Sequence, residues 1–199
     1  MYTFEFGSSV HADATHFGAN VSKQDAYEQV IEQLQSLMDG QKNWKLILYI
    51  QHPCWRTRAI RSANAASLLW HGLKALPEPS NKVNWAGFYV RDGPDNLILG
   101  PFQGRVACQT ISFSRGVCGR AARTAETQIV DDVHSDASHV ACDSSTKSEI
   151  VVPILFNGEV VGVIDIDCEE EKGFTEEDRE ALERIAMLLA AGCDWAFLK

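Results

Sequence analysis

The chain has 199 residues, of which 45% are apolar and 23% charged. That is one domain's length and enough apolar material for a core without disulfide staples. Acids outnumber bases 27 to 18, for a net charge of -9, so the chain lacks the basic footprint that phosphate backbones demand. No apolar run approaches the roughly 20 residues that span a bilayer. The first 20 residues hold neither a basic nor an apolar leader region and read as a loose polar arm, with His11, Asp13 and His16. The expectation is a soluble cytoplasmic protein that binds neither nucleic acid nor membrane.

Taken in chain order, the first helix signal is the apolar series Tyr27, Val30, Ile31, Leu34, Leu37 and Met38, which lays one stripe along a helix. Ser22 suits its N-cap and Gly40 its stop. Residues 45–60, KLILYIQHPCWRTRAI, are apolar and then basic, with Pro53 breaking any regular element. They read as a surface insertion loop. A second helix is predicted from Asn64 to Leu76, burying Leu69, Trp70, Leu73 and Leu76 before Pro77 and Pro79 end it.

The period then changes. Asn84–Val90, Asn96–Phe102, Arg105–Phe113, Thr127–Val130, Glu149–Phe156 and Glu159–Asp167 are rich in β-branched and aromatic residues and bounded by turn residues. Asn157-Gly158 joins the last two as an antiparallel hairpin. A final helix follows Phe174, with Thr175 as cap, acids at 176–178 on its positive dipole end, and Leu182, Ile185, Ala186 and Leu189 as its stripe. Helices at both ends of about six mostly antiparallel strands predict an α+β fold.

The six cysteines (54, 108, 118, 142, 168 and 193) include no C-x-x-C pair, and their spacings match no metal module. His139 and Cys142 could supply two ligands, but no second pair completes a set, so no metal is expected. In a reducing compartment such thiols are buried or catalytic.

The densest stretch contains LGPFQG (99–104), VACQ (106–109), GVCG (116–119), HVACD (139–143), SEIVVPI (148–154) and GVIDIDC (162–168), preceded by NWAGFYV (84–90). In order and spacing it resembles the free methionine-(R)-sulfoxide reductases, enzymes built on a GAF domain. The resemblance covers about residues 22–44 and 62–195, leaving 45–60 without a counterpart. It implies a GAF fold with a single domain over 22–199, an N-terminal arm at 1–21 and an insertion at about 45–60. It also implies reduction of free L-methionine (R)-S-oxide, with no prosthetic cofactor and with reducing equivalents from thioredoxin. Whether the protein forms a homodimer is left open.

Sulfoxide reduction needs a sulfur nucleophile, a proton for the departing oxygen and a second thiol to resolve the sulfenic acid. Cys142 lies in a polar loop that suits an accessible thiol, and the resemblance makes it the first choice for attack, with Cys108 as resolving partner. Cys118, near a helix start that would lower its pKa, stands as relay or alternative nucleophile. Cys54, Cys168 and Cys193 read as structural. The resemblance also places Glu149, Asp165 and Asp167 in the substrate site, with Trp85 and Tyr89 as its aromatic wall. Alternation along the last strand puts Val161, Val163, Asp165 and Asp167 on one face. Acids suit the substrate's ammonium group, and a carboxyl with a raised pKa suits protonation of the sulfoxide oxygen. Glu149 joins the Asp165 face only if the hairpin carries an extra residue. The expectation is a three-residue Phe156-Asn157-Gly158 loop that sets Glu149 opposite Asp165, or an equivalent bulge further along. His139 reads as a structural hydrogen-bonding residue. The competing function is a GAF module that binds a small ligand or senses redox state without turnover; a purely structural dimerisation domain explains none of the cysteines.

Overall fold

The structure, a computed structural model, describes residue 17 and residues 21–39, 54–136, 143–193 and 195, with 54–60 described by backbone alone. Most of the arm, Gly40, most of the insertion, His139 and Cys142 lie outside the described residues.

Two helices come first. Helix α1 (Lys23–Asp39) starts where Ser22 accepts the Asp25 amide at 3.1 Å, the cap read from sequence. Helix α2 (Cys54–Lys74) begins ten residues before the predicted Asn64. Pro53 precedes the helix rather than interrupting it, and the first turns of a helix tolerate a neighbouring proline. Leu69, Leu73 and Leu76 are buried as expected, whereas Trp70 is only partly covered.

The strands are β1 (Val83–Asp92), β2 (Asn96–Gly104), β3 (Thr110–Ser112), β4 (Gln128–Val130), β5 (Ser148–Phe156) and β6 (Glu159–Cys168). They form one sheet in the order β3-β2-β1-β6-β5-β4, every neighbouring pair antiparallel. The predicted strand from Arg105 is cut short: residues 105–109 are irregular and pairing starts at Thr110. Cys108 therefore sits on a loop, not on a strand.

Helices α1, α2 and α4 (Glu176–Gly192) cover one sheet face, burying Leu34, Leu69, Leu182 and Ile185 against Phe88, Ile150, Ile164 and Ile166. Asp178 locks this layer. It completes the Thr175 capping box and accepts from Lys23 Nζ at 2.7 Å and from the Tyr27 hydroxyl at 2.8 Å. Short helix α3 (Gly116–Thr124) lies on the other face with a smaller cluster that includes Trp85, Tyr89, Cys118, Val151 and Val163. The molecule is a three-layer α+β fold, and its functional candidates gather on the thinner side.

The β5–β6 hairpin corrects one detail of the reading. Phe156 pairs with Glu159 across a two-residue Asn157-Gly158 turn, with φ of 54° and 81°, the left-handed pair that Asn-Gly favours. The predicted three-residue loop is absent. The extra residue comes further along, as the alternative held: Leu155 pairs with Val160 but Ile154 with Gly162, leaving Val161 unpaired. Beyond this bulge Glu149 stands opposite Asp167, and Val151 opposite Asp165. The bulge also breaks the expected alternation. Val160 and Val163 belong to the α3 side, whereas Val161 packs into the opposite core.

Candidate active site

A pocket opens between the sheet, α3 and the loops at residues 105–107 and 143–146. Its floor comes from three strands: Asp165 on β6 faces Gly87 on β1, and Asp167 faces Trp85 on one side and Glu149 on the other. Gly87 is the space that makes the wall. A Cβ there would collide with Phe102 Cβ and lie 2.6 Å from Trp85 Cη2. Without it, Trp85 stacks on Phe102 at 5.3 Å and on Tyr89 at 5.8 Å between ring centroids. The polar ends of both rings are tied to the loop. Trp85 Nε1 donates to the Arg105 carbonyl and the Tyr89 hydroxyl to the Cys108 carbonyl, each at 3.1 Å.

Beneath this wall, Cys118, Glu149 and Asp165 are buried and bring their polar atoms within 4.8 Å of one another. These are metal-ligating types far apart in sequence, a cluster that linear spacing could not reveal. Here they engage one another: Asp165 accepts side-chain hydrogen bonds from Cys118 and Glu149. Burial disfavours the ionised forms, and the carboxyls repel each other's charge. Burial thus pushes Asp165 up to about 7. Glu149 is raised well above the usual carboxylate range by burial, then by Asp165 and Asp167, with Arg120 pulling the other way. Asp167, partly exposed, is raised by burial and by Asp165 and Asp143. The floor therefore holds protons near neutral pH.

Cys118 does not have the lowered pKa expected of a helix start. Burial raises it, and the facing Asp165 and Glu149 raise it further. Desolvation and carboxylates outweigh the dipole of a nine-residue helix, so Cys118 is a neutral thiol that donates a hydrogen bond. Cys108 is disulfide-bonded; Cys118, Cys168 and Cys193 are buried and take part in no disulfide.

The structure adds residues that the sequence reading passed over. Asp143 accepts from the Ser145 amide at 3.0 Å and the Ser145 hydroxyl at 2.8 Å, and both its oxygens lie 3.3 Å from Arg105 Nη1. Asn84 reaches Thr146 Oγ1 at 3.0 Å. Arg120 on α3 donates to Gln128 at 2.8 Å and to Asp136 at 2.7 Å. Asp143 and Arg105 flank the cysteine motifs, and that adjacency was the available signal.

The GAF domain family matches residues 62–192. The chain belongs to the GAF domain family. It is 47% identical over 186 residues to the free methionine-R-sulfoxide reductase of Saccharomyces cerevisiae, covering 92% of this chain and 94% of that one. The enzyme of the same name from Escherichia coli is 41% identical over 127 residues, 64% of this chain and 72% of that one. Among solved structures, the free methionine-R-sulfoxide reductase of Neisseria meningitidis in complex with its substrate superposes with a TM-score of 0.76. It is 34% identical and covers 94% of this chain and 98% of that one. No helix among the described residues is long and apolar enough to cross a membrane.

Proposed function

We propose that this GAF protein reduces free L-methionine (R)-S-oxide to methionine, with thioredoxin as electron donor and no prosthetic group. The observation that carries the reading is the pocket itself: an aromatic wall of Trp85 and Tyr89 over a proton-holding floor of Glu149, Asp165 and Asp167, with the carbonyl of disulfide-bonded Cys108 hydrogen-bonded to Tyr89. Its relatives at 47% and 41% identity carry the name of this activity.

The wall suits the methylthio end of the substrate, and the floor supplies the proton. In the first step the Cys142 sulfur attacks at the sulfoxide group and takes its oxygen. The S–O bond of the substrate breaks, methionine leaves, and Cys142 becomes a sulfenic acid. Protonated Glu149, hydrogen-bonded to Asp165, is placed to protonate the oxygen as its bond to sulfur weakens. In the second step the Cys108 thiol displaces that oxygen as water, forming a Cys108–Cys142 disulfide. Thioredoxin dithiol then reduces the bridge. The assignment to Cys142 draws support from the ion pair of Arg105 with Asp143, which holds the neighbour of Cys142 beside the loop of Cys108. It draws further support from Cys118, whose buried, carboxylate-facing thiol is a poor nucleophile.

NADPH consumption through a thioredoxin system, with the separated R and S forms of free methionine sulfoxide, tests the reading. Turnover of R alone is expected. Oxidation of the cysteines by peroxide without turnover of either form would instead identify a redox-sensing module.

A further inference from the structure

A free amino acid differs from a methionine residue inside a chain by its two terminal charges, so a site that selects it must read both. The floor acids are poorly suited to that task, because Glu149 and Asp165 hold protons and are committed to each other. The mouth of the pocket is different. Arg105 is the one cation among its described lining residues, and it faces Asp143 at 3.3 Å.

We propose that the Arg105–Asp143 pair is the recognition element for the zwitterionic head of the substrate, the guanidinium taking the α-carboxylate and the Asp143 carboxylate taking the α-ammonium. This rests on the function proposed above and names the part of the site that makes the substrate a free amino acid.

Three features fit the assignment. Asp143 does not need Arg105 for its position, since Ser145 holds it twice and Asn84 lies 3.4 Å away. Those hydrogen bonds also keep it below the usual carboxylate range, so it carries full charge where the floor acids do not. Arg105, in turn, has a side chain 73% exposed and a backbone pinned by Trp85 Nε1. Water screens an ion pair with so exposed a partner, so exchanging it for a substrate carboxylate, which a guanidinium can grip with two parallel bonds, costs little. Finally, Asp143 is close enough to raise the Asp167 pKa, so the head would sit directly above the floor, with the side chain running inward.

The test is steady-state kinetics with three substrates: the free R-sulfoxide, its amide, which lacks the carboxylate, and its N-acetyl form, which lacks the ammonium. Arg105→Gln is expected to raise KM at least tenfold on the free and N-acetyl substrates, with kcat within about twofold, and to leave kcat/KM on the amide at the wild-type value. Arg105→Lys should recover part of the loss. Asp143→Asn should show the converse, raising KM on the free substrate and the amide but not on the N-acetyl form. Equal losses on all three substrates, or none, would overturn the proposal. If wild-type protein does not turn over the free sulfoxide at all, the underlying function is what fails.

Discussion

Glu149 on β5 stands directly opposite Asp167 on β6 because Val161 is an extra residue in the hairpin between them. Had the strands continued in the register set by the turn, Phe156 opposite Glu159, Glu149 would face Ile166 and point into the helical core. A slip of one residue exchanges the faces of a strand. Val161 thus makes the correction that unites the acids. Deleting Val161 is expected to abolish reductase activity and to lower the melting temperature, since it would turn Glu149 into apolar packing. A deletion variant with wild-type kcat/KM would show that the bulge does not set the site.

Glu149→Gln preserves shape and hydrogen bonding but cannot give up a proton. Loss of a positioned general acid is worth roughly 10²–10⁴ in rate. The variant is expected to lose at least 100-fold in kcat with unchanged circular dichroism. Its methionine-forming burst in single-turnover experiments should slow by the same factor.

The floor acids also make stability depend on pH. Burial raises Asp165 from 3.8 to about 7, so between those values the native state keeps a proton that the unfolded chain has lost. The native state binds more protons, and stability therefore falls as pH rises through this window, by at most about 1.4 kcal/mol per pH unit for one group. Glu149 and Asp167 act in the same direction. Asp165→Asn should flatten the curve, gaining stability over wild type at pH 8 relative to pH 5 in urea titrations. A pH dependence that Asp165→Asn leaves unchanged across this range would contradict the buried, protonated floor.

Gly87→Ala places a methyl group where Trp85 and Phe102 now stack. The contacts involve the β carbon of Phe102 and the edge of a packed indole, neither of which can rotate away. The expected result is an overpacking cost of about 1–3 kcal/mol together with a KM raised about tenfold as the wall tilts. Fluorescence of Trp85, read in a background with the chain's other tryptophans replaced by Phe, provides an independent readout of the displacement.

Among the cysteines, Cys142→Ser is expected to abolish turnover and Cys108→Ser to stall the enzyme after one turnover with a trapped sulfenic acid. Cys54→Ser, Cys168→Ser and Cys193→Ser should keep most activity. Peptide mapping after substrate without reductant should find the Cys108–Cys142 bridge. A bridge from Cys142 to Cys118 would transfer the resolving role.

The amino-acid sequence by itself determined the layers of this fold. The apolar stripes of α1 and α4, the Ser22 and Thr175 caps and the Asn157-Gly158 turn are local signals, because helix period, capping and turn geometry depend on residues a few positions apart. The linear motifs also marked Trp85, Tyr89, Cys118, Glu149, Asp165 and Asp167 as one set. What those residues do to one another was decided only by the tertiary structure. The direction of the Cys118 shift depends on carboxylates 31 and 47 positions away, on strands that only folding brings beneath α3. The facing of Glu149 depends on where the hairpin takes up an extra residue, and two-residue and bulged registers differ by packing on both sheet faces rather than by any local preference. Arg105 and Asp143, unremarkable in sequence, meet because Trp85 ties one loop to β1 and Asn84, through Thr146, ties the other. Charge and burial are properties of neighbours in space, and the chain alone does not list them.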